Sequence, residues 1–223
     1  MRELALSEEL QKQYARRFSP LEAYRRSVWS VLTRDFFQEI VGTGKVILDL
    51  GCGWGEFINQ IEADRKFGMD LNPSSPDHLD SDVQFLQQDC SAPWPLPPGT
   101  LDIVFTSNFF EHLPDKVALR RTLQEAIQAL KPGGKIICMG PNIKFVPGAY
   151  WDFLDHHIAL TEMSLKESLE LSGFCVERCE DRFLPYTMVG GSKPPLWTVA
   201  LYLKVPLLWK LKGKQFLLIA SKP

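Results

Sequence analysis

The chain has 223 residues, of which 45% are hydrophobic, and it carries a formal net charge of −2 at pH 7. A chain of this length and composition can bury a substantial core, so we predict one domain with helical additions. The pI near 6.1 provides no large positive field that would follow a phosphate backbone. Nucleic acid is therefore a poor candidate partner.

The first helices predicted along the chain run from about Ser7 to Phe18 and from about Leu21 to Val41, where apolar residues recur every four positions. The predicted strands are Val46 to Leu50, Lys66 to Asp70, Val83 to Gln87, Leu101 to Thr106, Lys135 to Met139, Phe174 to Glu180 and Gln215 to Ala220. The helices predicted between them are Gly55 to Ala63, Asp115 to Leu130 and about Ser164 to Ser172. This alternation predicts an α/β fold with a mostly parallel sheet covered on both faces.

A glycine-rich segment directly follows the first strand. Glycine at Gly51, Gly53 and Gly55 permits positive φ and removes side chains, so that main-chain groups can approach a ligand. Asp70 ends the next strand, where a βαβ unit places an acceptor for two ribose hydroxyls. The G-x-G-x-G spacing differs from the G-x-G-x-x-G of nicotinamide sites and disfavours an NAD-dependent oxidoreductase. A turn that only terminates the strand is the simpler alternative.

Further motifs follow in a fixed order, and with them the chain resembles the class I S-adenosylmethionine-dependent methyltransferases over about residues 43–184. The motifs are Asp49-Leu-Gly51-Cys-Gly53-Trp-Gly55, Asp70, Gln88-Asp89-Cys90, Leu101-Asp-Ile-Val104, Ser107-Asn-Phe-Phe-Glu-His-Leu113 and Leu130-Lys-Pro-Gly-Gly-Lys135. The resemblance implies a Rossmann-like, doubly wound, mostly parallel seven-stranded sheet with a final antiparallel strand. It also implies an N-terminal helical extension over 1–42 packed on the core, a methyltransferase domain over 43–223, and an apolar insertion or lid over 185–213.

The resemblance implies S-adenosyl-L-methionine as the cofactor. The cofactor-binding residues that it implies are Asp49, Gly51, Cys52, Gly53, Gly55, Asp70, Leu71, Asp89, Cys90 and Asn108. Asp70 would accept from the ribose, Asp89 from the adenine amine, and Asp49 from the methionine ammonium through water. Asp89 could instead cap a turn before Pro93, and Asp102 is expected to stabilise a loop at the edge of the cofactor cleft.

The catalytic candidates lie in the segment that follows the fifth strand. A hydroxyl acceptor must lose its proton as the methyl bond forms, and histidine suits that task near neutral pH. We expect His156 to act as the base, with Asp155 or Asp152 orienting it, while His157 is an equal alternative and His156 could instead cap the following helix. We expect no metal site, because these residues lack the i, i+4 ligand pattern of a helix. Glu111 and His112 are expected to shape the cleft.

This segment also provides the candidate acceptor pocket, formed by Asn142, Tyr150, Trp151 and Asp152. It is similar to a subgroup of these methyltransferases associated with bacterial glycan or natural-product assembly, which implies a small-molecule acceptor, a free or lipid-linked saccharide hydroxyl. The alternatives are a methyltransferase acting on an amine, carbon or carboxylate, and a non-catalytic cofactor-binding scaffold.

The remaining expectations concern location and contacts. The five cysteines form an odd set, which suits reduced thiols and a cytoplasmic protein, and the first residues lack the apolar core of a secretory signal. The apolar tract from Pro194 to Leu203 is shorter than the roughly 20 residues that cross a bilayer. Together with the lysines that follow, residues 194–214 could lie on the inner face of a membrane, pack over the cleft or contact a second copy.

Overall fold

A computed structural model describes residues 21–186 and 193–223. The helix predicted from Ser7 to Phe18 lies outside the described residues, as do residues 187–192 of the predicted insertion. The described residues form a seven-stranded sheet in the order β3-β2-β1-β4-β5-β7-β6, with β7 antiparallel to both neighbours. The strands are β1 (Val46–Leu50), β2 (Arg65–Asp70), β3 (Val83–Gln87), β4 (Leu101–Ser107), β5 (Leu130–Pro141), β6 (Cys175–Glu180) and β7 (Gln215–Ser221). The predicted fold class is confirmed.

Helices cover both faces of this sheet. They are α1 (Glu22–Leu32), which continues through a π-helical turn (Thr33–Phe37) into α2 (Gln38–Val41), then α3 (Lys116–Ala129), α4 (Glu162–Leu171), α5 (Leu196–Lys204) and α6 (Pro206–Lys212). Alternate residues of each buried strand point to opposite faces. Leu48 and Leu50 accordingly join the apolar cluster beneath α3 and α4, while Ile47 joins the cluster beneath α1, α5 and α6.

The strand order places a cleft between β1 and β4. From β1 the chain winds outward through β2 to β3 and then crosses back to β4 on the other side of β1, where a parallel pairing joins Leu48 to Val104. Where the strand order reverses, the loops that follow the two central strands lead in opposite directions and leave a crevice at the carboxyl ends of the strands. Ligands of open α/β sheets bind in this crevice. The glycine-rich loop after β1 and the loop after β4 both start at this edge.

Two sequence predictions are wrong in this part of the molecule. Residues 55–63 form successive turns instead of a helix, and the Asn59 side chain bonds to the backbone of His78 and Asp80, which draws the segment toward the turn after β2. Asp102 is structural but does not border the cofactor cleft. It lies at the amino end of β4, where it accepts from the Val46 backbone at 2.9 Å and from Lys131 at 2.8 Å.

Candidate cofactor and acceptor site

The glycine-rich loop is bonded to the end of β2. The amides of Gly51 and Cys52 donate to the Met69 carbonyl at 2.9 and 3.1 Å, and the Gly53 amide donates to Asp70 Oδ2 at 2.8 Å. The φ angles of Gly51, Gly53 and Gly55 are 73, 51 and 75°, a region that side chains disfavour. The glycines are therefore required by this loop's backbone path, which brings bare main chain to the edge of the cleft.

Asp70 joins the loop to its own strand end and keeps acceptor capacity for a ligand. Its Oδ1 accepts from the Asn72 amide at 2.8 Å while Oδ2 accepts from Gly53. A carboxylate has about four lone-pair sites, so these two bonds leave room for ribose hydroxyls. Burial raises the pKa of Asp70, although the amides of Asn72, Gly53 and Leu71 oppose the shift.

Two amides at this edge have unused hydrogen-bonding atoms. Asn72 Nδ2 and Asn108 Oδ1 are buried and have no hydrogen-bond partner within the described residues. Asn108 follows β4 with a positive φ of 50°, and its backbone amide donates to the Met139 carbonyl at 2.9 Å. A buried donor or acceptor without a partner costs free energy, and a polar ligand in the cleft would satisfy it.

The charges around the loop suit a cationic ligand. Asp49 is buried, and this burial raises its pKa well above the usual range. The negative charges of Glu56 and Asp70 raise the pKa further, by a smaller amount. Glu56 itself accepts from Arg25 Nη2 at 2.7 Å. A sulfonium or ammonium group beside Asp49 would favour its ionised form. These residues therefore fit S-adenosylmethionine, whose methionine end carries both groups.

The other predicted cofactor residues lie in different surroundings. Asp89 Oδ1 accepts from the amide and hydroxyl of Ser91, both at 2.8 Å. These bonds form a turn before Pro93, in line with the alternative prediction that Asp89 caps such a turn. Cys90 is buried against Thr122 of α3, and burial raises its thiol pKa to about 12. Leu71 is 46% exposed, whereas Cys52 is buried. The adenine role of Asp89 stays a prediction.

The loops after β4 and β5 meet beside this cleft. The amides of His157 and Ile158 donate to the Glu111 carbonyl at 2.8 and 3.2 Å, and Tyr150, fully buried, donates its hydroxyl to the Ile158 carbonyl. The ring of His156 lies 4.9 Å from that of His112 and 4.8 Å from that of Tyr150, measured between centroids. His156 is therefore an interior side chain of the loop after β5 (residues 142–161), which we call the acceptor loop after its predicted role.

His112 is the partner of Asp155, which the sequence did not indicate. Its Nδ1 lies 2.9 Å from the Asp155 carbonyl and 3.3 Å from Oδ2. Burial opposes protonation of His112, but the hydrogen bond that it donates to Asp155 and the charge of buried Glu111 outweigh this effect and raise the His112 pKa. Glu111, His112 and His156, which we call the donor trio, offer ligand atoms that lie within 4.8 Å of one another. This spacing is one that a metal ion could bridge, so the prediction of no metal stays untested.

The remaining acceptor candidates do not share one environment. Asn142 is fully buried, and its amide donates to Glu162 at 2.6 Å and to the Asp181 carbonyl at 3.0 Å, which anchors the loop to α4. Trp151 is 52% exposed and Asp152 is exposed beside it. The helix cap that His156 might have provided is supplied by Thr161, whose hydroxyl accepts from the Ser164 amide at 3.1 Å.

A family model described as a methyltransferase domain matches residues 21–178. The chain belongs to the class I S-adenosylmethionine-dependent methyltransferases. S-adenosylmethionine is the cofactor of this family, in agreement with the residues around Asp70 and Asp49. The match begins at α1, so the family model includes the helices that precede the sheet.

Part of the chain is similar in sequence to a known methyltransferase. It is 31% identical to the "Probable S-adenosylmethionine-dependent methyltransferase" of Mycolicibacterium smegmatis over 140 residues, which are 60% of this chain and 53% of that protein. The chain thus spans about half the length of the curated relatives it matches.

Two solved structures share the fold over nearly the whole chain. One is an S-adenosylmethionine-dependent methyltransferase from Archaeoglobus fulgidus, with a TM-score of 0.66 at 23% identity over 92% of this chain and 99% of that one. The other is a complex of the Haloferax volcanii Trm112 methyltransferase activator and a methyltransferase, with a TM-score of 0.70 at 20% identity over 97% of this chain and 96% of that one. At these identities the likeness concerns the fold.

Proposed function

We propose that this methyltransferase transfers the methyl group of S-adenosylmethionine to a hydroxyl of a small molecule, a free or lipid-linked saccharide. The observation that carries the proposal is the group formed by His112, His156 and Asp155, which lies where the loops after β4 and β5 meet. Methyl transfer from a sulfonium mainly requires that the acceptor atom be held in line behind the methyl group. A general base such as histidine accelerates the transfer when the acceptor also has a proton to lose, as a hydroxyl does.

In this reaction the acceptor oxygen forms a bond to the methyl carbon as the S–CH3 bond breaks, which leaves neutral S-adenosylhomocysteine. His156 accepts the hydroxyl proton on a ring nitrogen, and His157 is the alternative base. Asp155 acts as a positioning residue, because its carboxylate and carbonyl fix His112 against the ring of His156. Tyr150 also packs against His156, with ring centroids 4.8 Å apart, and limits its rotation.

Two exposed side chains support a saccharide as the acceptor. Trp151 is 52% exposed and offers a flat apolar face to the C–H face of a sugar ring. Asp152, next to it, offers carboxylate oxygens to sugar hydroxyls. An amine, carbon or carboxylate acceptor is the competing proposal, and a scaffold without activity is a further one.

We also propose a cytoplasmic location. The cysteines at 52, 90, 138, 175 and 179 are all free thiols in the structure. Exposed thiols such as Cys175 persist where glutathione and thioredoxin keep them reduced. The test is the redox state of these thiols, measured by alkylation of the protein in intact cells.

Cofactor binding is tested first by calorimetric titration with S-adenosylmethionine, S-adenosylhomocysteine and NAD. We expect both adenosyl ligands to bind and Asp70→Ala to weaken them at least tenfold, because hydrogen bonds to a charged group contribute about 1.5–3 kcal/mol each. Asp77→Ala, at an exposed aspartate of the following turn, is the matched control and should bind normally. Binding of NAD alone would contradict the proposal.

Turnover then distinguishes the acceptor classes. A panel of saccharides, amines and carboxylic acids is incubated with labelled S-adenosylmethionine, and His156→Gln is compared with His157→Gln. Loss of a general base costs about 10²–10⁴-fold in rate, so we expect that loss in His156→Gln with S-adenosylhomocysteine affinity unchanged. An undiminished rate in His156→Gln rules out that residue as the base. Methylated amines as the sole products would support the competing proposal.

A further inference from the structure

Helices α5 and α6 expose large apolar side chains next to lysines. Together these residues form what we call the apolar–basic surface. Its apolar members are Leu196, Trp197, Leu201, Leu207 and Leu211, with exposures of 38, 68, 50, 69 and 66%. Its basic members are Lys193, Lys204, Lys210, Lys212 and Lys214. Residues 193–214 contain no aspartate or glutamate.

The opposite side of these helices is anchored in the core. Trp209 is buried, with its ring centroid 5.0 Å from that of Phe183 and 5.8 Å from that of Phe36, and its Nε1 donates to the Tyr202 carbonyl at 2.8 Å. Tyr24 of α1 donates its hydroxyl to the Pro194 carbonyl at 2.8 Å. The exposed leucines therefore lie on helices that are held in place, and their exposure does not come from helices that have failed to pack.

The lysines are largely available to an external anion. Lys210 pairs with Asp181 at 2.6 Å and with Glu180 at 3.5 Å. The other four lysines form no ion pair within residues 21–186 and 193–223. Clusters of lysine beside exposed tryptophan and leucine are typical of segments that lie in the headgroup layer of an anionic membrane.

We propose that the apolar–basic surface docks the enzyme on an anionic lipid membrane. A second copy of the chain fits less well, because a two-fold contact brings the same patch of both copies together and would oppose lysines to lysines. The surface lies on the bilayer and does not cross it. None of the helices in the described part of the chain is long and apolar enough to span a membrane.

The loop after β5 contacts this surface directly, because the backbone amide of Asn142 donates to the Lys214 carbonyl at 2.9 Å. The ring of Phe153 lies 5.1 Å from that of His156 and 6.5 Å from that of Tyr186, which precedes the α5–α6 segment. In the same loop Leu154 is 87% exposed. Docking would thus bring the candidate acceptor site to the headgroup layer, where a lipid-linked saccharide is presented. This last step rests on the proposed function, whereas the docking itself does not.

Vesicle sedimentation tests the docking with the full chain. We expect binding to vesicles of phosphatidylcholine with 30% phosphatidylglycerol, little binding to phosphatidylcholine alone, and weaker binding at higher salt. Trp197→Ser and Leu207→Ser should reduce the bound fraction, and Lys212→Gln should weaken affinity about fivefold, in line with the usual contribution of one basic residue. The matched control is Leu171→Ser on α4, because Leu171 is 76% exposed outside the surface.

Three outcomes would overturn the proposal. These are no binding to either vesicle, equal loss of binding in Leu171→Ser, and a dimer in sedimentation velocity that Leu207→Ser dissociates, which would identify a second copy as the occupant. Affinity for S-adenosylhomocysteine and turnover of a soluble acceptor are measured on the same variants. If those stay normal while vesicle binding is absent, the docking fails and the methyltransferase proposal does not.

Discussion

Replacing Gly51 with alanine should destabilise the protein more than the same replacement at Gly99, because the two sites have similar positive φ angles and differ in free space. Their φ angles are +73 and +67°, and alanine in this left-handed region costs about 1–2 kcal/mol. At Gly99 an added Cβ meets nothing within 4 Å. At Gly51 it would lie 2.3 Å from Phe109 Cγ and Cδ2 and 2.8 Å from Phe109 Cβ.

The extra cost at Gly51 follows from this overlap. Forcing additional atoms into a filled site costs about 1–3 kcal/mol, so Gly51→Ala should lower the free energy of unfolding by about 2–5 kcal/mol and Gly99→Ala by about 1–2 kcal/mol. Urea unfolding followed by circular dichroism measures both. The stability of a typical domain is about 5–15 kcal/mol, so Gly99→Ala should stay folded and Gly51→Ala should unfold at a clearly lower urea concentration.

A double-mutant cycle separates the overlap from the backbone strain. If Phe109 causes the additional loss, then Gly51→Ala should cost about 1–3 kcal/mol less in a Phe109→Ala background. The reasoning is refuted if the two glycine variants lose equal stability. Strict additivity in the cycle would refute it as well, because Phe109 would then not be the atom group that the new methyl meets.

Three further outcomes are expected. Asp115→Ala should cost about 1 kcal/mol in urea unfolding, because Asp115 Oδ1 caps α3 by accepting from two backbone amides at 2.8 Å; an unchanged midpoint would contradict this. Despite burial, the ion pair with Lys144 and the bond from Asn142 lower the pKa of Glu162. Its contribution to stability is therefore present above its unfolded pKa of about 4.3 and is lost as the pH falls through the lower folded value. On acidification the wild type should lose more free energy of unfolding than Glu162→Gln. Parallel curves of this free energy against pH would disprove the linkage. Zn²⁺ should inhibit turnover by occupying the donor trio while EDTA leaves it unchanged, and His156→Asn should lose zinc binding; stimulation by zinc would instead make the metal part of the reaction.

The sequence predicted best those elements whose signal is local. The strands Val46–Leu50 and Val83–Gln87 have the bounds that their residue patterns indicated. The helix predicted over residues 55–63 is wrong. Their apolar spacing suits a helix, but the segment forms turns in which the Asn59 side chain bonds to the backbone of distant residues. A helix propensity is a weak prior that such contacts override.

The two halves of the site differ for the same reason. The candidate cofactor half includes Gly53 and Asp70, which are bonded to each other. The backbone path of the loop requires these residue types at this spacing, so they could be recognised in the sequence. The candidate acceptor half includes His112 and Asp155, which are 43 positions apart and meet only because two loops join. The sequence displayed both segments, Glu111-His112 after β4 and Asp155-His156 after β5, but it did not indicate that they would meet.

The position of β7 between β5 and β6 has a consequence for how the protein folds during synthesis. Until residues 215–221 have left the ribosome, the edge of β5 along residues 135–141 has no neighbouring strand, although most of these residues are buried in the folded protein. Exposed apolar edges recruit other strands and favour aggregation. The Asn142 amide also lacks its acceptor until then, since it donates to the Lys214 carbonyl at 2.9 Å. The nascent chain should therefore be prone to aggregation until β7 is inserted, and the bond that joins Asn142 to Lys214 should form only at that stage.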